Sequence, residues 1–210
     1  MTSAASRLVC AGCEREVSAE RPIIWACPNA AAGDDIDHVL KRVLDPGADV
    51  RADGEVADEP FVRYRRRFHS YQVAIANGWS DARYVDTVRE LDAAIAAVDG
   101  TGFRTTPLVR AQALDDRLGF SGGGGVLVKD ETGNVSGSHK ARHLMGVMLH
   151  LLVAERLGML PSQRSPLAIA SCGNAAFAAG ILAKAADWPL RVFIPEDAAS
   201  SIIKGLEHLG

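Results

Sequence analysis

Apolar residues recur along the chain with two distinct spacings. From Asp81 to Val98, Tyr84, Val85, Val88, Leu91, Ala94, Ile95 and Val98 fall at helical intervals. Ser80 is placed to cap that helix and Gly100 to stop it. A second helical stripe, Leu144, Val147, Met148, Leu151 and Leu152, runs toward Leu157 and ends at Gly158. Leu167-Ala168-Ile169-Ala170-Ser171 is a short unbroken apolar run and predicts a buried parallel strand. It breaks at Cys172-Gly173-Asn174-Ala175 into an alanine-rich helix that ends near Ala186. Leu190 to Pro195 predicts another strand, and residues 198–208 another helix. Upstream, residues 126–143, VLVKDETGNVSGSHKARH, start as a strand, cross a turn of small polar residues and open a helix with Lys140 in its first turn. Thr105 to Val109 is a short extended piece fixed by Pro107. Strands alternating with helices predict an α/β fold, a parallel sheet with flanking helices.

Residues 45–60, rich in Pro, Gly, Asp and Ala, predict a linker or exposed loop. They separate a cysteine-bearing segment, residues 1–44, from an α/β region, residues 61–210. Pro60-Phe61-Val62-Arg63-Tyr64-Arg65-Arg66-Arg67 interleaves basic and aromatic residues. It is expected to be a solvated face with its aromatics tucked inward, because the acids upstream and a net charge of −3 leave no nucleic-acid footprint. The run of Ser121 and four glycines precedes a strand instead of following one, so it predicts a connection and not a phosphate cradle. At 210 residues the chain is long enough to bury a real core. It has no membrane-length apolar run and no signal-peptide layout, which predicts a cytoplasmic protein with no membrane partner.

The four cysteines make a poor disulfide framework, since three cluster early and Cys172 stands alone. Cys10-Ala-Gly-Cys13 followed by Cys27-Pro28 has the layout of a zinc ribbon whose second turn, Cys27-Pro28-Asn29-Ala30, lacks its second cysteine. His38 would complete a Cys3His site, with Asp34, Asp35 and Asp37 as weaker candidates. The other reading is a degenerate ribbon that keeps its loops without metal.

Two turns stand at the carboxyl ends of predicted strands, where ligands gather in parallel α/β sheets. One carries Ser138-His139-Lys140 and the other Ser171-Cys172-Gly173-Asn174-Ala175. A helix start presents free N–H groups to anions. A lysine in a partly dry cleft can act as a nucleophilic amine. Cys172 has no base beside it in the sequence and is expected to be small, buried and inert. His143 and His150 are expected to be packing or surface residues.

The pattern TTPLVR, KDETGNVSGSHKAR, ASCGNAAFAAG and VFIPEDA, over roughly residues 101–210, resembles the fold type II pyridoxal-phosphate enzymes. That group includes threonine synthase, threonine and serine dehydratases, cysteine synthase and the tryptophan synthase β subunit. The incomplete ribbon is similar to that of some threonine synthases, which makes these the nearest members, with threonine dehydratase-like members beside them. Against the family's Asn-Pro-Thr-Gly-Ser-Phe-Lys, this chain matches at Asn134, Gly137, Ser138 and Lys140. Val135 replaces proline, Ser136 replaces threonine and His139 stands at phenylalanine, while Arg142 matches the dehydratase-like Lys-x-Arg.

The resemblance implies pyridoxal 5'-phosphate as cofactor and an amino acid as substrate. It implies an enzyme that removes a Cα proton and then eliminates or replaces a β or γ group. Lys140 would bond the cofactor and move the proton. Asn174 would hydrogen-bond the cofactor's 3' oxygen, and His139 would pack beside its ring. Ser171, Cys172, Gly173, Asn174 and Ala175 would receive the substrate carboxylate. It also implies a homodimer at full length. Relatives carry a glycine-rich phosphate loop and a pyridine-nitrogen partner further on. The chain therefore resembles an N-terminal half, expected to be inactive by itself, with a non-catalytic remnant or a partner-requiring subunit as the alternative.

Overall fold

A computed structural model describes residues 6–18, 26–44, 59–120 and 124–210. The expected linker lies outside these residues apart from Glu59 and Pro60, as do Ser121 and the first two glycines of the run. In chain order the elements are β1 (Ser6–Cys10), β2 (Glu16–Val17), β3 (Leu40–Leu44), α1 (Pro60–Arg63), α2 (His69–Ala76) and α3 (Asp81–Asp99). They continue with β4 (Leu108–Arg110), α4 (Gln112–Leu118), β5 (Leu127–Lys129), α5 (Lys140–Arg156), β6 (Leu167–Ala170), α6 (Asn174–Ala185), β7 (Leu190–Phe193) and α7 (Ser200–Leu209). Among the described residues no helix is long and apolar enough to cross a membrane.

The chain divides into two compact units. One holds the described residues before 45 together with Phe61–Glu90 and Gly146–Ser165. Its sheet is antiparallel, with β1 in the centre, β2 on one side and β3 on the other. Ser80 caps the start of α3 as its spacing predicts, its Oγ accepting the Arg83 N–H at 3.2 Å. In the basic run Phe61 and Val62 are buried, and Arg65 turns inward to pair with Asp81 at 2.6 Å. Phe61 is thus tucked in and one arginine serves the interior, whereas Tyr64 stays exposed, against the expectation that the aromatics turn inward.

The other unit holds Glu59, Pro60, Leu91–Met145 and Pro166–Gly210. Here β6 and β7 pair in parallel, in the register Leu167 with Leu190 through Ala170 with Phe193, as the sequence predicts. Strand β5 does not join that sheet. It pairs antiparallel with β4, because the Thr-Thr-Pro-Leu-Val segment lies alongside and the Asp130 N–H reaches Pro107 O at 3.0 Å. The parallel pair is also less buried than a continuous apolar run suggests. Helix α6 packs on both strands. Leu167, Ile169, Leu190 and Val192 are half-buried, while Ala168, Ala170, Arg191 and Phe193 alternate on an exposed face. One helix covers one face of a sheet, so the period-2 alternation follows.

Ile181 and Leu182 of α6 are fully buried, each contributing roughly 1.5–3 kcal/mol by leaving water. Helix α7 crosses α6 closely because each helix offers a glycine at the contact. A Cβ on Gly180 would stand 2.9 Å from Leu209 Cδ1, and one on Gly205 would stand 3.0 Å from the Phe177 ring.

Candidate functional site

The site begins where β5 ends. Residues 134–138 make a tight turn, with Ser136 at φ 58° and Gly137 at φ 65°, both in the left-handed region. Glycine tolerates that region freely; serine does not, so the surroundings must hold it there. Asp99 does so, its Oδ2 accepting the Ser136 N–H at 3.1 Å. Burial pushes the Asp99 carboxyl above its ordinary value, partly offset by that N–H. Asn134 is buried and closes the turn, its Nδ2 donating to Ser138 O at 2.7 Å. The Asn134 Oδ1 is buried without a hydrogen-bond partner. Ser138 Oγ faces the Lys140 backbone nitrogen at 3.4 Å and caps the start of α5.

Lys140 and His139 are both exposed at this helix start. Lys140 makes no ion pair among the described residues. His143, one turn on, is exposed, while the His150 ring lies tilted against that of His69, with centroids 5.1 Å apart, in the other unit, which fits a packing role.

A polar cluster anchors the turn from behind. Arg142 Nε donates to Glu131 Oε2 at 2.7 Å, and its Nη2 donates to Arg104 O at 3.0 Å and Thr106 Oγ1 at 3.3 Å. Thr106 Oγ1 in turn donates to Glu131, and Lys129 Nζ donates to Thr106 O at 2.6 Å. Burial raises the Glu131 carboxyl, but the Arg142 and Thr106 hydrogen bonds outweigh it and hold the group below its ordinary value. Glu131, Thr106 and Asp99 are positioning residues that the motif reading missed. An acid just past a strand end, with a base early in the next helix, is the sequence signal that could have found the Glu131–Arg142 pair. Asp99, 37 residues from Ser136, gave no sequence signal.

The second turn follows β6. Helix α6 starts at Asn174 after Gly173, with no side-chain cap, and its first N–H groups are left open for an anion. Asn174 and Cys172 are exposed, and Ser171, Gly173 and Ala175 are half-buried. The expectation that Cys172 is buried is thus corrected: the turn lies beyond the covered face of the sheet. Helix α6 packs against the turn at Val135–Gly137, which brings the two βα segments together in one unit. An exposed lysine, a helix start without a side-chain cap and an exposed amide fit a phosphorylated aldehyde cofactor with a carboxylate substrate.

The three N-terminal cysteines and His38 converge in the other unit. Their ligand atoms all lie within 4.8 Å of one another. Asp34 lies beside this group, while Asp35 and Asp37 are exposed.

Comparison with known proteins gives the family. Residues 100–210 match the model of the pyridoxal-phosphate dependent enzyme family. No curated protein matches the chain. Among solved structures, the processed form of threonine deaminase isoform 2 from Solanum lycopersicum is 19% identical, with a TM-score of 0.38, over 63% of this chain and 33% of its own. Diaminopropionate ammonia lyase from Escherichia coli, in complex with D-serine, is 19% identical, with a TM-score of 0.41, over 61% of this chain and 34% of its own. This chain spans about a third of the length of those structures. The family match covers more than half of the chain, which belongs to the pyridoxal-phosphate dependent enzymes, as the sequence resemblance implies.

Proposed function

We infer that this pyridoxal-phosphate enzyme chain acts on an amino acid by removing its Cα proton and then eliminating or replacing a β or γ group. Threonine synthesis and hydroxy-amino-acid dehydration are the nearest reactions of that class. When bound, the cofactor supplies an electron sink that makes the Cα–H acidic. The residues of this chain supply position and proton transfer. The Lys140 amine would hold the cofactor and then take the Cα proton. Asn174 would donate its side-chain amide to the cofactor's 3' oxygen, and His139 would lie beside the ring. The open N–H groups from Cys172 to Ala175, with the Ser171 hydroxyl, would orient the substrate carboxylate at the positive end of α6.

The observation that carries this reading is the packing of the lysine-bearing turn against α6 within the segment matched by the family. The turn is fixed by hydrogen bonds from Ser136 to Asp99, from Asn134 to Ser138 and from Lys140 to Ser138. The region is read as residues 61–210 following a separate segment at 1–44. In the assembled enzyme we place it in a homodimer in the cytoplasm.

The test follows the Cα proton. The cofactor-loaded chain is incubated in heavy water with threonine, serine or a homoserine ester, and Cα–H exchange is read by NMR. Exchange with at least one of them, lost in Lys140→Ala, supports the reading. Absence of exchange with every one, on chain shown to carry cofactor, overturns it for this chain.

A further inference from the structure

Among the described residues, a group of four potential metal ligands sits around the hairpin of β1 and β2. Cys10 and Cys13 lie on that hairpin, Cys27 on the next loop and His38 just before β3. Cys10 Sγ is 3.4 Å from His38 Nδ1, and Cys13 Sγ is 3.7 Å from Cys27 Sγ. Bond lengths of about 2.3 Å to sulfur and 2.0–2.1 Å to nitrogen, set tetrahedrally, put S–S at about 3.8 Å and S–N at about 3.5 Å. The observed spacings match both values. A disulfide needs about 2.05 Å between sulfurs, and the separation here is far longer.

We propose that Cys10, Cys13, Cys27 and His38 bind a single zinc ion, and that Asp34 is the outer residue that orients His38. The imidazole has one nitrogen for each task. Nδ1 faces Cys10, while Nε2 lies 2.7 Å from Asp34 Oδ2. A carboxylate at Nε2 fixes the proton there and leaves the Nδ1 lone pair for the metal. Asp34 is itself held, its Oδ1 accepting the Ile36 N–H at 2.9 Å.

The sulfurs are supported as anions. The Cys13 N–H approaches Cys10 Sγ at 3.4 Å, the Asn29 N–H approaches Cys27 Sγ at 3.4 Å, and Asn29 Nδ2 approaches Cys13 Sγ at 3.5 Å. Binding releases three thiol protons to solvent. Three thiolates, a neutral imidazole and Zn2+ then leave the site at −1, which those donors spread. Gly12 is required by the same geometry, since a Cβ there would stand 2.5 Å from Asp37 O, in the loop that presents His38. Three sulfurs select a soft cation over calcium or magnesium, and four protein ligands close the site, which makes it structural.

The test uses the full chain, purified without added metal and again after Co2+ exchange. One zinc per chain, and a tetrahedral Co2+ spectrum with thiolate charge-transfer bands, are expected. Cys27→Ala should lose the stoichiometric ion. Asp34→Asn should retain tetrahedral Co2+ at saturation but bind it about 10–100-fold more weakly. A Co2+ spectrum typical of six-coordinate oxygen ligands, iron in place of zinc, or a Cys13–Cys27 disulfide without metal would each overturn the zinc assignment. Unchanged affinity in Asp34→Asn would overturn the role of Asp34. These readouts do not involve the pyridoxal cofactor, so they succeed or fail independently of the proposed reaction.

Discussion

Replacing Glu131 by glutamine should loosen the turn that carries Lys140. Glu131 receives Arg142 Nε at 2.7 Å and the Thr106 hydroxyl, with Lys129 Nζ at 3.7 Å. Glutamine keeps the shape but removes the charge, and its amide must face one of two donors that want an acceptor. A hydrogen bond to a charged group is worth about 1.5–3 kcal/mol net. The Glu131 and Arg142 side chains are 15% and 25% exposed, so solvent screening removes only part of that. Arg142 keeps Arg104 O and Thr106 Oγ1. The expected cost is about 2 kcal/mol, or roughly a 30-fold rise in local opening at 1.4 kcal/mol per decade. Because the chain has two units, peptide-resolved hydrogen exchange over residues 131–145 is a cleaner assay than a global melt. Arg142→Met completes a double-mutant cycle, with an expected coupling of about 1–2 kcal/mol. If Glu131→Gln changes protection less than threefold, or the two substitutions add without coupling, the cluster does not hold the turn.

Other consequences follow from the same contacts. Glu131 and Asp115 both have folded carboxyl pKa values held down, Glu131 as above and Asp115 by Arg110 and the Val126 N–H. The stability they contribute is therefore fully present above the unfolded carboxylate range, about pH 4, and is lost as pH falls through the folded values. Exchange protection across 106–145 should drop below that pH, and Glu131→Gln should flatten the drop; protection that rises on acidification would contradict the assignment. At the crossing of α6 and α7, Gly205→Ala gains up to about 1 kcal/mol of helix propensity but must displace the Phe177 ring, at about 1–3 kcal/mol. Gly180→Ala meets the flexible ends of Leu209 and Leu206, at 2.9 and 3.6 Å, and no ring. Thermal unfolding should show Gly205→Ala as the more destabilised variant, and the reverse order would refute this account of the packing.

Much of the fold was legible because its signals are local. Ser80 and Gly158 mark helix ends by chemistry that acts within one turn, and both do so here. The β6–α6–β7 segment could be read from its apolar runs and the breaker at Gly173. The partnership of β5 could not, because a three-residue strand carries no signal of which neighbour it pairs with. Strand β6 read as buried because its sequence is uniformly apolar, whereas burial depends on what covers each face. In the first segment the CxxC turn marked a ligand set, but the tautomer-fixing contact from Asp34 depends on how the loop folds back. Asp99 was invisible for a related reason: an acid at the end of an amphipathic helix looks like any solvated residue until a turn is laid against it.

The central claim is that Lys140 is the lysine that captures the cofactor, and chemical trapping reads it directly. The chain has five lysines, at positions 41, 129, 140, 184 and 204. Lys41 and Lys204 are also exposed and serve as internal controls for non-specific reaction. The chain is incubated with pyridoxal phosphate, reduced with borohydride and mapped by peptide mass spectrometry. The account predicts a phosphopyridoxyl adduct concentrated on the peptide containing Lys140, at cofactor levels where Lys41 and Lys204 remain unmodified. Labelling spread evenly over the exposed lysines, or absent from Lys140, would contradict it.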